Sequence, residues 1–197
     1  LLQLRKKQKF TCPQCKSELQ LKVGKVKTPH FAHFRDANCH NLFSEGESET
    51  HLLGKLALYD FFKKANKNVV LEPYLATLSQ RPDLLVQDRD RTYAIEFQCS
   101  TIDLDLVSKR TSGYIQHGIH PYWLLNTPGK YYEETNCTKM ISLTKFEQQF
   151  IVKNGAHSYL LTFHPQTKTF FYYTHLIHFQ TNQFIAEIQR LPIQYQT

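Results

Sequence analysis

The pattern of apolar and polar positions is clearest between residues 44 and 126. Residues 44–64 begin with serines and glutamates, which suit a helix N-terminus, and continue with apolar residues at intervals of three and four. This spacing predicts an amphipathic helix. Its apolar positions are Leu52, Leu53, Leu56, Tyr59 and Phe62.

Three short strands are predicted after this helix, over residues 69–75, 81–87 and 92–101. The polar residues 88–91 form a turn, so the second and third strands pair as a hairpin. A second helix is predicted over 103–116, where Gly118 ends it, and a fourth strand over 119–126. The predicted fold class is α/β, with a core in the order helix, three-stranded antiparallel meander, helix, strand.

The pattern is weaker beyond residue 130. Residues 146–152 have helical spacing, which predicts a helix. Residues 158–164 and 169–174 alternate on either side of a Pro-containing turn, which predicts a hairpin. We expect this part to be an extension of the core.

Composition limits the class of protein. With 41% hydrophobic and 21% charged residues the chain can bury a core, which excludes a disordered protein. There is no apolar run near the length of a membrane span and no signal-peptide pattern. Five cysteines without a framework spacing favour a reducing compartment, so we expect a cytoplasmic protein. The chain does not begin with Met, and we expect it to be a fragment or a processed form.

Positive charge is concentrated at the N-terminus. Residues 1–35 hold nine Lys and Arg against one acid, Glu18, whereas the remaining residues have a net charge of −1. A uniformly basic wrapper of nucleic acid is therefore excluded, and a basic module joined to a near-neutral body is predicted. The predicted parts are residues 1–43, 44–130 and 131–197.

The basic module contains a pattern of zinc ligands, C-x2-C-x14-H-x2-H. Because zinc takes four sulfur or nitrogen ligands in a tetrahedron, we expect a structural zinc ion on Cys12, Cys15, His30 and His33. Cys39 and His40 lie close by in sequence and could replace one ligand. The module would then contact DNA through its lysines or serve only as structural support.

The predicted hairpin brings two acids together. If its turn is centred between residues 89 and 90, paired residue numbers sum to 179, so Asp83 faces Glu96. Directly opposed residues share a face, and two carboxylates there repel each other unless a cation lies between them. Oxygen ligands favour Mg²⁺ or Mn²⁺, which could activate water at a phosphate while Gln98 orients it. The alternative is that Asp83 belongs to a turn and Glu96 pairs with an arginine such as Arg81.

Several residues are candidates for contact with the phosphates of DNA. Lys109, Arg110 and Tyr114 lie on the second predicted helix, and Lys55 shares a face of the first helix with Glu47 and His51. A solvated helix face would have the same composition.

The order of elements and the residues Arg81-Pro82-Asp83 and Glu96-Phe97-Gln98 resemble the PD-(D/E)XK nuclease superfamily. Together with Cys-Pro-x-Cys, His-Phe-Ala-His and Glu-Ser-x2-His, they resemble the competence protein CoiA family in particular, over about residues 10–130. Members of that family are longer than this chain.

The resemblance implies a bacterial cytosolic protein of natural transformation with a nuclease-like domain. It makes Asp83 and Glu96 the metal-binding acids and either Glu47 or Glu49 the acid of the first helix. Gln98 stands where many of these enzymes have Lys. We expect a metal-dependent DNA nuclease, which could have recombination or transformation proteins as partners. The alternatives are a nuclease fold that binds DNA or a recombination partner without cutting, and a zinc module whose remaining chain is an interaction scaffold.

Overall fold

The computed structural model describes residues 3, 7–12, 15–24, 29–34, 48–127, 137–155 and 157–193. The chain divides into two compact units, Leu1–Glu49 and Thr50–Thr197. The boundaries of the three predicted parts stay predictions.

In the first unit, the described residues form one antiparallel sheet. Its strands, in the spatial order β1-β2-β3, are β1 (Phe10–Thr11), β2 (Glu18–Lys22) and β3 (His30–His33). Phe10 pairs with Leu19, and Leu21 pairs with Phe31, so these four side chains share one face of the sheet. Leu21 is buried on that face and forms its small apolar core.

The second unit contains a mixed sheet with helices packed against it. Its elements are α1 (Glu49–Lys64), β4 (Asn68–Leu71), β5 (Leu84–Asp88), β6 (Arg91–Gln98), α2 (Leu104–Gln116), β7 (Ile119–Asn126), β8 (Cys137–Ser142), α3 (Lys145–Gln148), β9 (Val152–Asn154), β10 (His157–His164), β11 (Thr169–Gln180) and β12 (Gln183–Pro192). Among the described residues nine strands form the sheet, in the order β4-β5-β6-β7-β10-β11-β12-β8, and β9 pairs with β10.

The predicted mixed α/β class is confirmed. Strands β4, β5 and β6 form an antiparallel meander, and β7 pairs with β6 in parallel after α2. The β5–β6 hairpin has the predicted register, since Asp88 pairs with Arg91 and Leu84 pairs with Ile95. The β10–β11 hairpin is also present.

Several boundaries differ from the prediction. Strand β4 ends at Leu71 because Glu72 has a left-handed backbone (φ 48°) and Pro73 follows it. Strand β5 begins at Leu84, three residues later than predicted. The helix predicted over 146–152 is wrong in its second half, because α3 ends at Gln148 and β9 begins at Val152. Strands β8 and β12 were not predicted.

The buried side of α1 is rotated from the predicted one. Leu53 and Leu56 are 41% and 43% exposed, whereas Gly54, Lys55, Ala57 and Leu58 are buried. The reason is the close approach of α1 to strand β6. A Cβ on Gly54 would lie less than 3.0 Å from three ring atoms of Phe97, so only glycine lets the helix lie this close to the ring.

Two apolar clusters cover the sheet. Ala57 and Leu58 of α1 pack on Phe97 and Leu124, and the C-terminal strands pack around Phe171 with side chains that include Phe146 of α3. Both sides of β6 are covered, since Ala94, Ile95, Glu96 and Phe97 are all buried. In the part of the chain described, no helix is both long and apolar enough to cross a membrane.

The Gly54 contact gives a prediction about stability. Alanine is favoured over glycine in a helix by about 1 kcal/mol, so propensity alone would make Gly54→Ala stabilising. Because the new Cβ would overlap the buried ring of Phe97, we expect destabilisation by about 1–3 kcal/mol instead, measured by chemical denaturation.

The matched control is Gly113→Ala in α2. There the added Cβ would lie 2.5 Å from Nε2 of Gln80, the end of a flexible side chain, so the loss should be smaller. A stabilised Gly54→Ala protein would contradict the packing of α1 on β6.

Candidate functional site

The register of the β5–β6 hairpin brings Asp83 and Glu96 together. Asp83 immediately precedes β5, and continuation of the pairing from Leu84 and Ile95 places it opposite Glu96. Oδ2 of Asp83 accepts a hydrogen bond from the backbone N of Phe97 at 2.7 Å, which fastens this carboxylate to β6. The charge of Asp83 also raises the pKa of Glu96, which is a further sign of their proximity.

Glu96 is buried between the sheet and α2. Its side chain is 7% exposed, and Oε1 accepts hydrogen bonds from Nη2 of Arg110 and the hydroxyl of Tyr114. Burial is the largest influence on the pKa of Glu96 and raises it from 4.5 to about 7, although Arg110 acts in the opposite direction. Glu96 therefore takes up a proton at a higher pH than a solvent-exposed glutamate does.

Arg110 and Tyr114 lie one helical turn apart on α2 and act on Glu96 together. Nη2 of Arg110 also donates to the carbonyl of Arg81 at 2.8 Å and to the Tyr114 hydroxyl at 3.0 Å. Burial and the charge of Glu96 raise the pKa of Tyr114, so its hydroxyl stays protonated and donates. The alternative of an arginine partner for Glu96 is thus realised, but the arginine is Arg110 rather than Arg81.

Three of the four residues that the sequence predicts to contact DNA are buried in the structure. Arg110 and Tyr114 are buried, and so is Lys55, whose ammonium pairs with Glu72. The structure therefore gives these three residues protein partners instead of the solvent exposure that a phosphate contact needs. Lys109 is exposed, and its contact with DNA stays a prediction.

His51 on α1 is a member of the site that was not predicted. Its Nε2 lies 3.1 Å from Oδ2 of Asp83, and its ring stacks on Phe97 with centroids 6.0 Å apart. Its side chain is 24% exposed, so it lies at the edge of the site. The signal in the sequence was its position four residues from both Glu47 and Lys55, on one face of the helix.

Of the two candidate acids of the first helix, Glu47 and Glu49, the structure describes one. Glu49 is the first residue of α1 and is exposed, while Glu47 lies outside the described residues. The ion pair of Lys55 and Glu72 borders Asp83, because the backbone N of Glu72 donates to the carbonyl of Asp83 at 2.9 Å.

Gln98 forms no hydrogen bond with either acid among the described residues. Its Nε2 donates to the backbone carbonyl of Ser100 at 2.5 Å. The hydrogen bonds of Asp83 and Glu96 within the described residues come from His51, Phe97, Arg110 and Tyr114 instead. The positively charged or ionisable groups next to the acids thus come from the two helices and not from strand β6.

The two carboxylates fit a divalent cation in one respect. Each has all its hydrogen bonds from described residues on a single oxygen, Oδ2 of Asp83 and Oε1 of Glu96. The other oxygen of each remains for a further ligand. Paired oxygens of this type suit Mg²⁺ or Mn²⁺.

A second cluster, in the first unit, has the chemistry of a metal site. The sulfur atoms of Cys12 and Cys15 and a ring nitrogen of His33 all lie within 4.8 Å of one another. The Sγ of Cys15 is 3.4 Å from Nε2 of His33. Two thiol groups and an imidazole are a donor set that suits zinc.

Three of the four predicted zinc ligands are therefore brought together. The β2–β3 pairing aligns His33 with Leu19, and Cys12 directly follows β1. His30 begins β3, but its side chain is outside the described part of the chain, as are Cys39 and His40. The choice among these three for a fourth ligand stays open.

Comparison with known proteins agrees with the resemblance in the sequence motifs. Residues 47–197 match the family model of the competence protein CoiA nuclease-like domain, and residues 1–42 match that of the CoiA N-terminal domain. Competence protein CoiA of Bacillus subtilis (strain 168) is 36% identical over 188 residues, 95% of this chain and 49% of that protein. The chain thus spans about half the length of this curated relative. No solved structure matches the chain. Since the two models together cover nearly all of its residues, the chain belongs to the competence protein CoiA family.

Proposed function

We propose that the chain is a metal-dependent DNA nuclease that hydrolyses phosphodiester bonds during bacterial competence. The pairing of Asp83 with Glu96 at one end of the hairpin carries this proposal, because it gathers oxygen ligands beside a helix that bears an imidazole. The nuclease-like description of the family model and the name of the relative support it.

Asp83 and Glu96 would hold Mg²⁺ or Mn²⁺, with Glu47 or Glu49 as a further acid. When bound, such an ion neutralises charge on the phosphate and lowers the pKa of a water ligand. The chain's own contribution is orientation of the carboxylates. Arg110 and Tyr114 fix Oε1 of Glu96, while His51 and the backbone N of Phe97 fix Oδ2 of Asp83.

For the first unit we propose a structural zinc ion on Cys12, Cys15 and His33, completed by one of the remaining candidates. A unit with so little buried apolar surface gains most of its folding free energy from such an ion. DNA is the proposed substrate, recombination or transformation proteins are proposed partners, and a cytoplasmic location stays a prediction.

A nuclease fold that binds DNA or a recombination partner without cutting is the second candidate. Two observations favour it. Gln98 occupies the position of the usual lysine and donates to Ser100, and Arg110 already compensates the charge of Glu96 without a metal ion.

The first prediction distinguishes these two candidates. Wild-type protein with Mg²⁺ or Mn²⁺ is expected to degrade plasmid or single-stranded DNA, whereas Asp83→Asn and Glu96→Gln should be about a hundredfold slower or worse, because each loses a metal ligand. The control is Asp88→Asn, an acid at the far end of the same hairpin that pairs with Lys67. Equal rates in all four proteins would rule out the proposed site, and DNA binding without cleavage would favour the second candidate.

The raised pKa of Glu96 gives a prediction about metal affinity. The protonated acid is a poor ligand, so protons and metal compete, and the apparent metal affinity falls as the pH drops through the raised pKa of Glu96. Mn²⁺ affinity, measured by electron paramagnetic resonance of the free ion, should therefore fall about tenfold between pH 8 and pH 6. In Glu96→Gln most of this pH dependence should be absent. An unchanged dependence in that variant would show that Glu96 is not the group that titrates.

Zinc content tests the first unit. Elemental analysis of purified wild-type protein should give one zinc per chain, and Cys12→Ser or Cys15→Ser should remove most of it. Cys99→Ser, which lies in the second unit, is the control and should retain it. Among His30→Ala, Cys39→Ala and His40→Ala, the variant with the largest loss identifies the fourth ligand. Full zinc content in the Cys12 and Cys15 variants would contradict the site.

A further inference from the structure

Strand β11 is interrupted by a bulge at His175. Thr174 pairs with Glu187 of β12, and the next paired residues are Ile177 and Ile185, so β11 has one residue more than β12 in this interval. His175 has a left-handed backbone (φ 52°), a conformation that glycine adopts without strain and that other residues adopt only at a cost. A β-bulge changes the direction of a side chain, and here that side chain is an imidazole.

The bulge brings His175 to ligand-type groups on both neighbouring strands. Its Nδ1 lies 3.2 Å from Oε2 of Glu187 on β12, and its ring lies 6.5 Å from that of His157 on β10, centroid to centroid. Thr174 pairs with Tyr159 and with Glu187, so these three residues share one face of the sheet. His157 lies two positions before Tyr159 and belongs to the same face.

The spacing of these groups suits one zinc ion. Two atoms that bind a tetrahedral zinc ion at about 2.0–2.1 Å lie roughly 3.3–3.4 Å apart. The distance between Nδ1 of His175 and Oε2 of Glu187 is close to this value. Two histidine rings on one such ion have centroids roughly 5–6 Å apart, so the exposed side chain of His157 has to turn inward by about 1 Å.

We propose that His157, His175 and Glu187 bind a zinc ion on the face of the sheet formed by β10, β11 and β12. Two imidazoles and one carboxylate favour Zn²⁺ over Mg²⁺, which prefers oxygen ligands, and water fills the fourth position. This ion explains why a histidine stands where glycine would be less strained. The site shares no residue with the pair of Asp83 and Glu96, so it does not depend on the proposed cleavage.

This ion should be held more weakly than one in the cysteine–histidine cluster of the first unit. The side chains of His175 and Glu187 are 66% and 46% exposed, and the set contains no thiolate. We therefore expect the ion to be lost during purification, so that the purified chain retains only the zinc of the first unit and the new site is filled by added Zn²⁺.

The test is isothermal titration calorimetry of Zn²⁺ into the untagged full chain, purified without chelator. Wild type should bind one added ion per chain at this site. His157→Gln, His175→Asn and Glu187→Gln should each weaken its binding by about tenfold or more, because even the loss of an outer-shell partner costs about 10- to 100-fold. Asparagine tolerates the left-handed backbone, so His175→Asn removes the imidazole without adding strain.

The matched control is His178→Asn, a second exposed histidine of β11, which should bind the added ion as wild type does. Asp83→Asn should bind it too, which distinguishes this ion from one at the proposed catalytic carboxylates. Failure of cleavage would thus leave this result unaffected, and absence of this ion would not affect the cleavage test.

Nuclear magnetic resonance of the histidine rings shows whether the imidazoles are ligands. The ring signals that are missing in His157→Gln and in His175→Asn identify the two residues. Both signals should shift with one equivalent of Zn²⁺, whereas that of His178 should not. Without added zinc, His175→Gly should unfold at the same or a higher denaturant concentration than wild type, because glycine relieves the backbone at the bulge.

Equal zinc binding by wild type and the three ligand variants would overturn the proposal. It would show that His175 and Glu187 form only a surface ion pair. Ring signals of His157 that stay unchanged while the ion binds would overturn it as well.

Discussion

A carboxylate buried between a sheet and a helix requires hydrogen-bond partners, and the partners of Glu96 fix how α2 packs on strand β6. Its partners Arg110 and Tyr114 both come from α2, so the helix is fixed against β6 at a defined rotation. Removing one partner from a buried pair leaves an uncompensated charge and costs about 3–5 kcal/mol. The same arrangement turns Glu96 toward Asp83, so the stability of the α2 packing and the geometry of the site depend on the same hydrogen bonds.

The other side of β6 obeys a steric constraint instead. Gly54 lets α1 lie against the ring of Phe97, and that ring carries the imidazole of His51. His51 in turn reaches Asp83, which is also bound to the backbone N of Phe97. Asp83 therefore receives contacts from the helix on one side of the strand, while Glu96 receives them from the helix on the other side. A change in either helix packing would move one ligand relative to the other.

The hairpin register was predictable because it depends on local information, a polar turn and strict alternation on either side of it. The buried face of α1 was not, because it depends on partners remote in sequence. Gly54 lies against Phe97 of β6, and Lys55 pairs with Glu72, which lies 17 residues later and has no periodic relation to it. Arg110 and Tyr114 are residue types that also occur on DNA-contacting helix faces. Their burial was not predictable, because their partner Glu96 lies in the preceding strand and helix periodicity does not show it. Strands β8 and β12 pair with each other across more than 40 residues, a distance at which turn signals carry no information. The two cysteines and His33 were predictable because the ligand spacing of a metal site is itself a sequence pattern.

The charge distribution separates the segment that would attract DNA from the residues that would hold the catalytic cation. The second unit, residues 50–197, holds 15 Lys and Arg against 12 Asp and Glu, a net charge of +3, and three of its candidate phosphate contacts are buried, so its attraction for DNA is weaker than that of residues 1–35. Residues 1–35, at +8, have the attraction but no acids beyond Glu18 with which to hold a catalytic cation. If the lysines of residues 1–35 attract DNA and the proposed cleavage holds, a strand held by these lysines is at high effective concentration for the carboxylates, because one chain carries both. Loss of these lysines should then impair cleavage at low DNA concentration far more than at saturation, because it would weaken capture and leave the carboxylates unchanged.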